Sequence, residues 1–405
     1  LSLSLSLSLT LSHSLSQSVY IVSVARTPIG SFRGSLSTVI APALGSVAIK
    51  GAIERAGIAP DVVDEVIMGH GLSAGVVHAA ADRAAAGAGL PASVVCSTVN
   101  KGCASGMKAI MMAAQSIGRG DTEVMVAGGM ESMSNAPYNL ARGELPYGAA
   151  SLNDGVLEGL TDPFSGQHVG YLADTEAAKQ GITRSAQDEY AVNSYRRSAR
   201  AAADGLSLKE IVPVIVSGQR GRPDVTVADD EEYRRVDFER VPALAPVFVR
   251  DGTGTVTAAN ASPISDGAAA AVLMSASAVH RLGVRPLAKV IAYADVGVEP
   301  ALFTVAPIYV IPKVLEKAGL QISDIAHWEI NEAFSTVPLI SIKHLGLATE
   351  LVNPNGGAVS LGHPVGCSGA RIVNHLALHL KPNEYGLAAI CNGGGGASAL
   401  LVQKL

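Results

Sequence analysis

The chain has 405 residues, of which 48% are apolar and only 16% charged, with a formal charge of −5. Single cores rarely grow past about 250–300 residues, so this length excludes one small domain, and the apolar content excludes a disordered chain. No run of Lys or Arg offers an electrostatic footprint for nucleic acid, and no 18 consecutive apolar residues offer a bilayer span, so neither partner is expected.

Residues 1–17 alternate Leu and Ser at first and then decay towards Gln17. A secretory signal needs a basic start and an unbroken apolar centre, and a mitochondrial presequence needs arginines; the first Arg is Arg26. A translated CT repeat gives the same alternation, and the chain opens without Met. Residues 1–17 are therefore expected to be a disordered or artefactual leader.

An internal repeat follows. GAIERAGIAPDVVDEVI at 51–67 lies over KVLEKAGLQISDIAHWE at 313–329 with an offset of 262. Ser105-Gly106 lies over Ser368-Gly369, and Gly129 over Gly393, with almost the same offset, which marks a duplication. In the first copy SVVCSTV reads as a strand, NKGC as a turn, ASGMKAIMMAAQSI as an apolar-faced helix and EVMVAGG as a buried strand. In the second, a strand at ELVN and a Gly-rich turn lead to the helix GARIVNHLALHL and the strand YGLAAIC. The spacing predicts two α/β halves about a pseudo-twofold axis, 18–132 with 265–285, and 286–405. Between them, 133–264 carries the charge cluster DDEEYRR and amphipathic helical segments, and reads as an inserted lobe that holds a ligand above the core.

Cys103 sits between a strand and the N-terminus of an Ala- and Met-rich helix, where backbone N–H groups favour a thiolate; a buried structural cysteine is the competing reading. His363 lies in GGAVSLGHPVGCSG, a turn that suits a histidine taking a proton from a thiol. Asn331 and Glu332 are expected to open a helix after AHWEI, with Asn331 either capping it or orienting a water. Cys391 ends a strand, where sites in α/β sheets gather, and the N–H of Gly393 beyond it can face an anionic oxygen. The four cysteines, 96, 103, 367 and 391, share no metal spacing and make no disulfide scaffold, which points to a reducing compartment. His70 and the methionines from Met107 to Met133 read as core filling or subunit interface.

N-K-G-C-A-S-G-M at 100–107, N-E-A-F at 331–334, G-G-A-V-S-L-G-H-P-V-G-C-S-G-A-R at 356–371 and C-N-G-G-G-G-A-S at 391–398 occur in one order. In these motifs the chain resembles the thiolases over 18–405. The resemblance implies a duplicated five-layered α/β/α/β/α core with an inserted loop domain. It makes Cys103 the nucleophile, Cys391 the acid/base, and His363 the activator of Cys103. His363 and a water on Asn331 would form one oxyanion hole, the N–H groups of Cys103 and Gly393 the other. No cofactor is required beyond coenzyme A thioester as substrate. K-x-C-A-S-G-M, RRVDF and A-A-N-A-S most resemble the acetyl-CoA acetyltransferases, which condense two acetyl-CoA to acetoacetyl-CoA; a 3-ketoacyl-CoA thiolase of broader chain length, or an inactive acyl-CoA carrier of the same fold, is the alternative. By the same resemblance Tyr195, Arg235, Val236, Asp237, Arg240 and Ser262 belong to the CoA site, and Tyr195, Ala258, Ala259, Ala261 and Val359 to a potassium site. Relatives imply a homodimer or homotetramer, and a mitochondrial or cytoplasmic location. The chain departs from the family pattern at Gly102, before the nucleophile, which is expected to loosen that turn, at Val169 and Asp174, and across 69–85.

Overall fold

The computed structural model describes residues 17–405 except 77–78, 144–149 and 219–220. The expected leader, apart from Gln17, lies outside the described residues. Long apolar runs become fully buried strands, as in Ser265–Ser275, where SDGAAAAVLMS has no exposed position. Amphipathic runs become helices that end on glycine: Ala41–Ala56 stops at Gly57 and Pro307–Ala318 at Gly319, both left-handed at φ +67°. These two glycines are the matched positions of the sequence repeat.

The first half orders its strands as Val95–Val99, Glu65–Gly69, Val124–Ser132, Ser265–Ser275 and Val19–Arg26. The first two contacts in that order are parallel and the last two antiparallel. The second half repeats this path as Val352, Ile325–Ile330, Tyr385–Asn392, Gly396–Lys404 and Ala288–Gly297, with the same senses. A short antiparallel pairing of Val19–Ile21 with Ala288–Val290 joins the halves into one continuous sheet.

Three large cores give the layers. Helices Ser105–Arg119 and Val365–His379 lie between the inner faces of both half-sheets, burying Met107, Ile110, Ile117, Ile372, Val373 and Leu376. The outer face of the first half is covered by Ala41–Ala56 and Ala80–Gly87, that of the second by Pro307–Ala318 and neighbouring segments. This is the five-layered α/β/α/β/α arrangement. Each of the large central side chains contributes about 1.5–3 kcal/mol by leaving water. The two central helices and strand Val124–Ser132 meet at glycines: a Cβ on Gly106 would lie 2.8 Å from the Gly366 carbonyl oxygen, and one on the strand's Gly129 1.9 Å from it.

Two expectations are corrected. ELVN is not a strand: Thr349–Leu351 is a 3-10 turn, and only Val352 bridges to Trp328. Asn353, at φ +46°, turns the chain away and uses its side chain as a substitute strand. Its Oδ1 accepts from the Ile330 N–H at 2.8 Å, and its Nδ2 donates to the Ile330 carbonyl at 2.8 Å. Asn331 and Glu332 do not open a helix, which begins only at Thr336. The buried Glu332 carboxylate instead accepts from Tyr190, Ser194, Asn353 and the Val359 N–H, which holds this stretch irregular.

Candidate active site

Cys103 precedes helix Ser105–Arg119 by two residues, on a turn closed by its own neighbours. The Ser105 hydroxyl donates to the Gly102 carbonyl at 2.5 Å and accepts from the Lys101 N–H at 2.8 Å; the Gly102 N–H reaches Asn100 Oδ1 at 2.9 Å. Gly102 adopts φ +53°, where glycine is relaxed and a side chain strained. The expected loosening at Gly102 is therefore reversed: glycine is the residue this turn favours.

Across the halves Lys101 reaches the second half-sheet. Its Nζ lies 2.5 Å from Asp295 Oδ1 and 2.8 Å from Ser398 Oγ, while Lys108 Nζ lies 2.8 Å from Asp295 Oδ2. One carboxylate from the second half thus clamps two lysines flanking the nucleophile. Burial opposes charge on Asp295, but its bonds to Lys101, Lys108 and Ser398 prevail and hold the carboxyl down at about 2.

Burial pushes the Cys103 thiol up to about 11, opposed by the N–H groups of Gly393 and of Cys103 itself, which face the sulfur. Cys391, on the last turn of strand Tyr385–Asn392, is fully buried; burial first, then the neighbouring Cys103, pushes its thiol well above the ordinary range. Burial brings His363 down to about 4, with the nearby Arg371 charge acting the same way. Its Nδ1 lies 2.6 Å from Ser368 Oγ, and that hydroxyl also donates to the Pro364 carbonyl at 3.0 Å. A hydroxyl has one proton, so donating it to Pro364 requires Nδ1 to carry the imidazole proton. Nε2 is then bare, and among the described residues neither it nor either amide atom of buried Asn331 has a hydrogen-bond partner.

Cys103, His168, Ser262, His363 and Gly393 line a cavity of about 770 Å³ whose walls include Val169, Phe248, Phe303, Phe334 and Val365. Cys391 and Asn331 are not among the lining residues and sit behind that wall. Arg235, Val236, Asp237 and Arg240 line a separate groove of about 350 Å³ with Tyr195, Ala258 and Ala259. Ala258 faces both spaces, so groove and cavity adjoin; Ala261 and Ser262 face the cavity. Val359 lines neither, and packs with Tyr195 and Ala191.

Sequence reasoning missed three supports. Glu131 is fully buried and accepts from the N–H groups of Gly71 and Gly366 at 2.9 and 2.8 Å, with His70 Nε2 at 3.0 Å, so it fixes the start of the helix that follows His363. His168 caps helix Val169–Lys179 through Nδ1 and stacks on Phe248 with centroids 4.7 Å apart. Asp174 accepts from Thr255 N and Oγ1 at 2.7 and 2.8 Å, fastening the cavity wall to the insertion. The Lys101–Asp295 clamp had a partial signal in Lys101, two residues before the thiol; Asp295 had none.

A thiol and a bare imidazole nitrogen on one cavity, with a second thiol buried behind its wall, define a cysteine-dependent acyltransferase. The comparisons narrow the class. The model of the thiolase N-terminal domain matches residues 19–277, and that of the thiolase C-terminal domain residues 284–404. The chain belongs to the thiolase family. It is 58% identical over 388 residues to a Bos taurus protein named mitochondrial acetyl-CoA acetyltransferase, covering 96% of this chain and 92% of that one. The Homo sapiens protein of the same name is 57% identical over 390 residues, covering 96% and 91%. Among solved structures, the Acat5 thiolase from Ascaris suum in complex with coenzyme A superposes with a TM-score of 0.92 at 48% identity, covering 96% of this chain and all of that one.

Proposed function

We propose that the protein is an acetyl-CoA C-acetyltransferase, reversibly condensing two acetyl-CoA to acetoacetyl-CoA and CoA through an acetyl group on Cys103. The observation that carries the residue roles is that Cys103, His363 and Gly393, drawn from both halves of the chain, line one cavity, with Cys391 two residues before Gly393. In this reading residues 18–132 with 265–285 and residues 286–405 are the catalytic halves, and 133–264 is the lobe that binds CoA.

The chemistry follows from the two opposite pKa shifts. Neutral His363 takes the Cys103 proton on Nε2 as sulfur attacks the acetyl carbonyl, and the thiol of Cys391 gives its proton to the departing CoA sulfur. Exchange of one thioester for another is nearly thermoneutral, so the acetyl group keeps its activation. Cys391 is now a thiolate in a site that disfavours thiolates, and so a strong base. That strength is needed, because the methyl proton of the second acetyl-CoA is far less acidic than a thiol. The resulting enolate attacks acetyl-Cys103, and the released Cys103 sulfur recovers its proton from His363. Asn331, through a water, and His363 Nε2–H are the donors for one oxyanion, Cys103 N–H and Gly393 N–H for the other; a single such donor is worth about 3–4 kcal/mol.

Arg235 and Arg240, exposed at the groove rim, suit CoA phosphates, with Val236, Asp237, Tyr195 and Ser262 completing the path to the cavity. Among the described residues no main-chain N–H bonds the carbonyls of Ala258 or Ala259. Together with the Tyr195 hydroxyl and the carbonyls of Ala261 and Val359 they would supply the neutral oxygens that potassium takes, and the ion would add positive charge and order beside the CoA groove. The names of the relatives favour a mitochondrial location, with the cytoplasm as the alternative; the family resemblance implies a homodimer or homotetramer.

Intact-mass measurement after mixing with acetyl-CoA tests the proposal. One acetyl group on the wild type and none on Cys103→Ala is the expected result; an unmodified wild type would make the chain an acyl-CoA carrier.

A further inference from the structure

Helix Val365–His379 leaves the cavity at Val365 and ends about 20 Å away, at roughly 1.5 Å per residue. Near that end the spacing of His375 and His379, four residues apart, puts both imidazoles on one helix face. Glu210, from the short helix Leu206–Glu210 of the insertion, meets them. Its Oε1 lies 2.5 Å from His375 Nδ1 and 3.0 Å from His379 Nε2. The three candidate ligand atoms all lie within 4.8 Å of one another.

We propose that Glu210, His375 and His379 form a transition-metal site, best suited to Zn²⁺, that staples the insertion to the second catalytic half. Two imidazoles and one carboxylate are a common zinc donor set, with ligands at about 2.0–2.1 Å and hence roughly 3.4 Å from each other in a tetrahedron. The two carboxylate–imidazole contacts, at 2.5 and 3.0 Å, must lengthen by less than about 1 Å to admit the ion. Beside Glu210 and His375 lies a void of about 20 Å³, also lined by Asn355 and by Arg26 and Arg371, whose charges are offset by Asp230 and Glu329; it is room for one water as fourth ligand.

The surroundings match what holds metal ligands in place. Arg26 Nε binds Glu210 Oε2 at 2.5 Å, leaving Oε1 for the ion, and the Arg26 charge is itself offset by Asp230 at 2.7 and 2.9 Å. His375 Nε2 faces Asn355 at 3.0 Å and Glu329 Oε1 at 3.9 Å. With the Asn355 amide turned so that its oxygen accepts, Nε2 carries the proton and Nδ1 is free to ligate.

Titration of the full-length, metal-free protein with Co²⁺ and Zn²⁺ tests the site. Wild type is expected to take one equivalent of Co²⁺ without a thiolate-to-cobalt charge-transfer band, which separates this site from the active-site thiols, and Zn²⁺ should raise its thermal midpoint. His379→Gln keeps a donor to Glu210 while removing the imidazole; it should retain thiolysis activity but lose at least about tenfold in Co²⁺ affinity together with the thermal shift. His379→Ala provides the same comparison without the replacement amide. Equal metal affinity in wild type and both variants, a spectrum carried only by sulfur, or no binding would overturn the proposal and leave the three residues as a hydrogen-bond network.

Discussion

The two halves repeat one topology, yet they divide the chemistry between different positions. At the offset that pairs Ser105 with Ser368, Cys103 lies over Gly366; at the offset that pairs Gly129 with Gly393, Cys391 lies over Ala127. The first half therefore places its thiol ahead of a helix, and the second places its thiol at the end of a strand. Each has a silent counterpart in the other half, so two similar folds make one asymmetric site. The matched glycines diverge as well. Gly129 is packed against the Gly366 backbone, whereas a Cβ on Gly393 would meet nothing nearer than 3.7 Å, at Val169. The same residue type serves close packing in one half and an open N–H donor in the other.

That contrast can be broken at its strongest point. Cys391→Ala is expected to lower kcat for condensation by more than about a thousandfold, because His363 already carries the Cys103 proton when the methyl proton must be abstracted. Adding Ala127→Cys to that variant should restore nothing, since strand Val124–Ser132 presents Ala127 to the central core and not to the cavity. Recovery of activity in the double variant would mean that the two strand positions are chemically interchangeable.

A packing comparison comes next in size. Gly129→Ala should destabilise the fold by about 3 kcal/mol or more, because backbone rather than a flexible side chain opposes the added methyl. Gly393→Ala should cost less than about 1 kcal/mol of stability while lowering activity. Chemical denaturation of the pair, read beside thiolysis rates, sharpens the distinction; equal stability losses would dissolve it.

The smallest effect concerns the clamp that joins the halves. Asp295 is held at about 2, below its ordinary 3.8, so its contribution to stability is fully present above the unfolded value and fades as the pH falls towards 2. About a third of the side chain is exposed, and solvent screening reduces the effect to about 1 kcal/mol. Asp295→Asn should therefore be less stable than wild type near neutrality and equal to it in strong acid. A constant difference down to the lowest pH would show that the carboxylate charge is not what matters.

The sequence by itself determined the duplication, because apolar periodicity and glycine stops are local properties of the chain. Gly57 and Gly319 end their helices as read, and the buried runs became strands. The cysteines and His363 stood out because their motifs are short and contiguous. Only the tertiary structure decided what depends on partners far apart in the chain. Asn331 looked like a helix cap until Glu332 was seen bonded to Tyr190, 142 residues away. The ELVN strand yielded to Asn353, whose side chain pairs with Ile330 in its place. Glu131 behind His363 and Asp295 beneath the nucleophile turn left no local pattern, since Gly366 and the two lysines that give them meaning belong to the other half. Local chemistry selects elements, but the protonation state of a thiol or an imidazole is set by how completely folding removes it from water and by which N–H groups then face it.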